Sequence, residues 1–383
     1  MKLTHNYRSR CRGIIALTFV ICIGCKSSQE REFHMPVFND ESDTKIEIIS
    51  DELFGINSVL DIYSYKEYIV VIAYDAENDN FLHIFNHNGE KLCDAVQNGR
   101  GPKEVLRIDN SWIDNVNGDV GFVNQMQNKM VCVNIDSLLS DGAKTISEIG
   151  MILPGWLEFT CPIPARDRKI IIQNVSPVKD TTGFPRITVE DRFGEIIAQH
   201  KDFPEPDPQK RYIMYNESIV SISPNGRNLA IGTLWGGILE IYSLEEGLEL
   251  KNVKYFIKPD FIAHSGYGEP NEKTQYGFRD IDASNEYIYS VINGEVYSEL
   301  YSLYTGVGRT AKLICNNISV FDWTGTPVKK INTDYEIERF CIDENDEIVY
   351  AVVTDSLGRP FLGKFHIDSG FQPQTQLNDR DDI

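Results

Sequence analysis

One unit recurs along the chain and decides what it can fold into. Ile318–Ile331 reads as a strand of β-branched and aromatic residues, a tight turn at Gly325, and a second strand. Looser copies run from Leu82 to Gly89, Val131 to Gly142, Ile187 to Gly194, Leu239 to Gly247 and Phe361 to Gly370. The turn glycines at 89, 142, 194 and 247 stand 53, 52 and 53 residues apart, and the next two intervals are 78 and 45. A period of about 50 residues built only of strands marks propeller blades, since one small sheet cannot bury both faces and must stack on neighbours. Six copies predict an all-β, six-bladed β-propeller over residues 44–383.

The front half of each blade repeats as well. Val59–Ile62 leads through a polar turn to Tyr68–Ala73, Ile219–Gly226 to Leu229–Gly232, Phe278–Asp282 to Tyr287–Val291, and Phe340–Glu347 to Ile348–Val352. The last repeat lacks a fourth strand after Ile367, so the isolated strand Ile46–Ile49 is expected to complete the final blade and close the ring. No long window carries helical periodicity. The 78-residue interval reflects extra sequence at about 254–275 and 294–310, rich in Gly, Tyr and Ser. Insertions on a rigid scaffold are common binding loops, and drifting surface loops are the plainer reading.

Lys2, Arg8, Arg10 and Arg12 precede the short apolar run Gly13–Ile23, which ends at Gly24-Cys25. The run is too short to span a bilayer, and the pattern is that of a lipoprotein signal at residues 1–24. Cys25 would then carry the lipid, with Cys22 standing where such signals usually have Leu, and residues 25–43 would form a polar tether. The expected location is the cell envelope, on the outer membrane. Lys+Arg 37 against Asp+Glu 57 gives a net charge of −20, which repels phosphate backbones and argues against a nucleic-acid partner. Beyond Cys25 remain Cys93, Cys132, Cys161, Cys315 and Cys341, an odd number set in apolar strands, so buried free thiols are expected.

Three stretches, Asn317–Lys330, Arg339-Phe-Cys-Ile-Asp-Glu-Asn345 and Gly99-Arg-Gly-Pro-Lys-Glu104, together resemble the TolB-like six-bladed β-propeller lipoproteins of Bacteroides and relatives. The similarity covers nearly the whole chain after Cys25, with Lys103 where that family more often has Gly. The resemblance implies a cell-envelope propeller and brings no catalytic residues with it.

Candidate chemistry is sparse. Gly99–Glu104 has the look of an anion-cradling loop, but no helix pattern follows to present free N–H groups. A tight blade-to-blade crossing is the plainer reading, with Arg100 the one residue placed to touch a ligand. Asp75–Asp79 alternates carboxylates like a calcium loop, yet Asn80 and Asn86 stand where that loop needs Gly and Glu. His83 and His87 on one strand lie ~13 Å apart, too far to share a metal. Asp61, Arg279, Asp280 and Asp282 fall on strands nearest the axis and could line a polar pocket, while Trp156 and Trp235 could stack on sugars. The expectation is a non-enzymatic propeller that binds an envelope protein or a glycan and needs no cofactor. The alternative is a lactonase-like hydrolase holding calcium in the axial funnel.

Overall fold

The computed structural model describes residues 32–51, 59–141, 146–150, 157–164, 166–173, 185–216, 218–264, 268–297, 315–355 and 359–367. Cys25, the signal segment, Trp156 and most of the 294–310 insertion lie outside them. Four of the six repeat glycines are described, and all take positive φ: +82° at Gly89, +84° at Gly194, +146° at Gly247 and +74° at Gly325. A Cβ on Gly89 would stand 2.0 Å from the Ile49 carbonyl oxygen, so the turn also sets how closely the chain can pass.

Each of these four glycines marks the turn between the third and fourth strands of a blade. Strands β1 (Glu41–Thr44) and β2 (Glu47–Ser50) come first. Blade 1 is β3 (Val59–Tyr65), β4 (Tyr68–Asp75), β5 (Asn80–Asn86) and β6 (Lys91–Gln97). Blade 2 is β7 (Asn110–Asp114), β8 (Asp119–Asn124), β9 (Lys129–Asn134) and, after helix α1 (Ile135–Asp141), β10 (Ser147–Gly150). Blade 3 is β11 (Leu157–Pro162), β12 (Arg168–Gln173), β13 (Ile187–Asp191) and β14 (Ile196–His200). Helix α2 (Pro208–Asn216) leads to blade 4, made of β15 (Ser218–Ile222), β16 (Asn228–Thr233), β17 (Gly237–Ser243) and β18 (Glu249–Ile257).

A hairpin of β19 (Phe261–Ala263) and β20 (Gly268–Pro270) precedes blade 5, which is β21 (Phe278–Ala283), β22 (Tyr287–Ile292), β23 (Cys315–Asp322) and the first half of β24 (Pro327–Ile342). The second half of β24 opens blade 6 and is followed by β25 (Ile348–Thr354) and β26 (Pro360–His366). β24 pairs with β23 from Pro327 to Asn332 and again at Ile337, and with β25 from Glu336 to Ile342, so one strand is outermost in blade 5 and innermost in blade 6. β2 pairs with β26, Glu47 opposite Lys364 and Ile48 opposite Gly363, so the last sheet draws on both ends of the described chain.

The core lies between blades. Central strands such as β4 are buried on both faces, with Ile69 to Ala73 fully enclosed, which explains their continuous apolar runs. Val70, Ile72 and Leu82 meet Val120, Phe122 and Val131 between blades 1 and 2, while Ile62, Phe85, Tyr350 and Val352 fill the space between blades 6 and 1. All five described cysteines are free thiols.

Two features depart from the sequence expectations. From Phe33 onward the expected tether is laid along the ring. Phe33 packs on Tyr255, Phe38 packs on Phe321, and β1 pairs in parallel with β24. Phe33 and Phe38 find cover on blades 4 and 5 while Met35 and Val37 stay exposed, which a composition reading of a polar segment misses. The second departure is helical: α1 and α2 are only seven and nine residues long, too short to raise a periodic signal. Asp207 caps α2 by accepting from the Gln209 N–H at 2.9 Å, directly before Pro208.

Candidate functional site

The inner strands β3, β7, β11, β15, β21 and the second half of β24 surround an axial cavity of about 260 Å³. Asp61, Tyr63, Ser111, Ser221, Asp280, Asp282, Phe340 and Cys341 are among its lining residues. Three of the four residues expected at the axis are therefore brought together, and Arg279 lies beside them on β21. Tyr63, Ser111 and Ser221 were not singled out from sequence. Tyr63 stands two residues beyond Asp61 on the same strand face, which is the signal that marks it.

Each axial carboxylate is already engaged. Asp280 accepts from the Ile281 N–H at 3.2 Å and the Phe340 N–H at 2.9 Å. Asp282 accepts from the Ala283 and Ile342 N–H groups, both at 2.8 Å, and Ser221 Oγ approaches it at 3.5 Å. Asp61 accepts from the Ile62 N–H at 3.0 Å, the Tyr63 hydroxyl at 2.5 Å and Ser111 Oγ at 3.3 Å. Burial, with Asp280 nearby, pushes the Asp61 carboxyl up to about 6, and burial pushes Asp282 up to about 7. Asp280 is raised by the same cause, and the Tyr63 phenol is raised well above its ordinary range.

These bonds run from blade to blade. Asp280 and Asp282 join blade 5 to blade 6, Ser221 joins 4 to 5, and Ser111 joins 2 to 1. Arg339 Nε donates to the Leu60 carbonyl at 2.8 Å, joining 6 to 1, and the Thr160 N–H meets Asn110 Oδ1 at 3.4 Å between 3 and 2. Inner strands of adjacent blades are not paired as a sheet, so side chains supply the acceptors their backbones need. Four of these strands also carry a register shift near their first residues, which leaves Leu60, Glu158, Arg279 and Glu338 unopposed.

The other candidates lie away from the cavity lining. Arg100 is exposed, in a loop folded around Glu104, whose Oε2 accepts the Gly101 N–H at 2.7 Å. A Cβ on Gly99 would sit 2.0 Å from that oxygen, which explains the motif's glycine. Trp235 is 7% exposed and packs against Phe261 and Tyr276, each with ring centroids 5.0 Å away. It belongs to a cluster with Ile213, Met214 and Tyr215 that seats α2 and the β19–β20 hairpin on blade 4.

Two oxygens bound to one calcium ion at ~2.4 Å can be no more than ~4.8 Å apart. Among the described residues the one trio meeting that spacing is Asp75, His83 and Asp94 in blade 1, not the axial aspartates. His83 faces Asp94 Oδ1 through Nδ1 at 2.6 Å and the Ala73 carbonyl through Nε2 at 3.1 Å, and Lys91 also reaches Asp94 at 3.2 Å. Both imidazole nitrogens point at acceptors, so His83 on β5 bridges to β4 through the Ala73 carbonyl and to β6 through Asp94.

The profile of the TolB-like six-blade propeller family matches residues 37–345. The chain belongs to that family. No curated protein matches it significantly. Among solved structures, this TolB-like propeller is similar to a candidate exported protein of Bacteroides fragilis NCTC 9343, at 12% identity, covering 86% of this chain and 98% of that one with a TM-score of 0.51. U3-55K is matched at 7% identity over 84% of this chain and 98% of that one, with a TM-score of 0.48. No described helix of the TolB-like chain is long and apolar enough to cross a membrane.

Proposed function

We propose that this TolB-like propeller is an exported, lipid-anchored protein of the cell envelope that binds a glycan or protein partner without transforming it. The axial cavity receives a small polar group of that partner. One observation carries the reading: Asp61, Asp280 and Asp282 already accept backbone N–H groups or hydroxyls from the ring itself. A carboxylate so engaged organises a rigid polar wall and is poorly placed as a general base or metal ligand. The basic–apolar–Gly24-Cys25 pattern and the exported description of the Bacteroides fragilis structure support export, with Cys25 as lipid attachment point and the outer membrane as destination.

Thermal-shift measurements with an envelope-glycan panel and with calcium test this. A ligand present at 100 times its Kd adds about 2.7 kcal/mol to folded-state stability, a readily measured shift. A glycan that stabilises the protein, and loses its effect on Ser221→Leu, supports the reading, as does a single envelope protein retained by the ring and released by the same substitution. A calcium shift abolished by Asp280→Asn and Asp282→Asn would overturn it in favour of a metal-dependent hydrolase.

A further inference from the structure

We infer that the bulged end of the axial channel is a receptor for an oxyanion, a carboxylate or phosphate group, held between Arg279 and Arg339. This rests on the reading of the ring as a binding module and gives that module a ligand chemistry. The backbone supplies the first argument. A bulge interrupts the ladder and turns a side chain out of its regular place, and four inner strands carry one at matching positions. Arg279 is itself an unopposed bulge residue, and Arg339 directly follows another.

The second argument is unmet bonding capacity. Arg339 uses Nε on the Leu60 carbonyl at 2.8 Å and Nη1 on the carbonyls of Arg279 and Glu338 at 3.4 and 3.1 Å, all neutral acceptors. The buried Nε of Arg279 has no acceptor, and neither arginine forms an ion pair among the described residues. Both are half-buried, and Arg339 is the strongest influence on Arg279, holding it down to about 10. Two neighbouring guanidinium groups with no ion pair at contact distance are costly to keep out of water. An oxyanion bridging them removes the repulsion and offers the planar fork a matched acceptor.

The acidic groups nearby do not fill that role. Asp280 and Glu338 act on Arg279, and Asp61 and Asp280 lie within reach of Arg339. The two aspartates are committed to Ile62, Tyr63, Ile281 and Phe340. Leu60, whose carbonyl Arg339 holds, is 38% exposed, so apolar surface open to solvent lies beside the pair.

The test is calorimetric titration and thermal shift on the full-length protein in detergent at pH 7.5, with inorganic phosphate, acetate and glucuronate, and chloride balancing ionic strength. At least one oxyanion is expected to bind saturably and raise the Tm beyond the chloride control. Arg279→Gln should weaken that binding about tenfold or more, while Arg279→Lys keeps part of it. Since Arg279 has no contact ion pair to lose and its removal relieves the repulsion from Arg339, Arg279→Gln without anion should melt no lower than the parent, which separates lost binding from lost folding. Phosphate alone, or the carboxylates alone, would name the group and support the inference. It is overturned if no oxyanion exceeds chloride, or if Arg279→Gln responds as the parent does. If the anions fail while a glycan or protein still binds, the module reading survives and this inference alone falls.

Discussion

Arg186 and Glu240 are the most consequential single residues outside the axis. The guanidinium meets the carboxylate through two bonds of 2.6 and 2.7 Å, Tyr242 donates to the same carboxylate at 2.6 Å, and the Tyr215 ring lies 4.0 Å away. Both charges are essentially excluded from water. Glu240→Gln should cost about 3–5 kcal/mol in urea unfolding because Arg186 keeps its buried charge, and replacing both partners by Met and Leu should restore most of it. The axial aspartates give a second residue-scale prediction. Their folded pKa values lie above the unfolded 3.8, so the folded ring holds more protons between about pH 4 and 7 and gains stability as pH falls through that window. Tm measured from pH 8 to 5 should therefore rise, by a contribution on the order of 2 kcal/mol per site. The slope should flatten in Asp61→Asn and Asp282→Asn, and an unchanged slope in both would refute the assignment.

Among elements, the N-terminal strap does more than its sequence promised. The Lys330 N–H donates to the Asp40 carbonyl at 2.9 Å, the Ile46 N–H to Asp334 Oδ1 at 2.9 Å, and buried Ile46 packs with Tyr289, Ile337 and Phe365. Ile46→Asp should unseat β2, bare the edge of β26, and produce concentration-dependent association visible by light scattering. What the sequence displays and hides follows from range. Turn glycines and alternating strands are local choices, so the blades could be read directly. Helix α2, nine residues long, was too brief to register as a periodic pattern. The bulges at Leu60 and Arg279 and the docking of Phe38 on Phe321 depend on partners far away in the chain. Asp61, Asp280 and Asp282 were placed at the axis by strand order, yet their backbone acceptor role needed coordinates.

For the whole molecule, the sixteen residues of β24 tie blades 5 and 6 into one eight-stranded sheet, whereas blades 1 to 4 are separate four-stranded sheets. Hydrogen exchange should find β23 to β25 opening as one cooperative unit, with blades 1 to 4 free to open singly. Independent opening of β23 and β25 would contradict this. The pairing of β2 with β26 has a further consequence, one of time. Glu47 waits for Lys364, so an early-made segment cannot complete its pairing until the last described strand exists. Closing so long a loop is slow, because its entropy is lost before any contact rewards it. In a growing chain β2 therefore stays without its partner strand, and the last sheet one strand short, while blades 1 to 4 can already be complete.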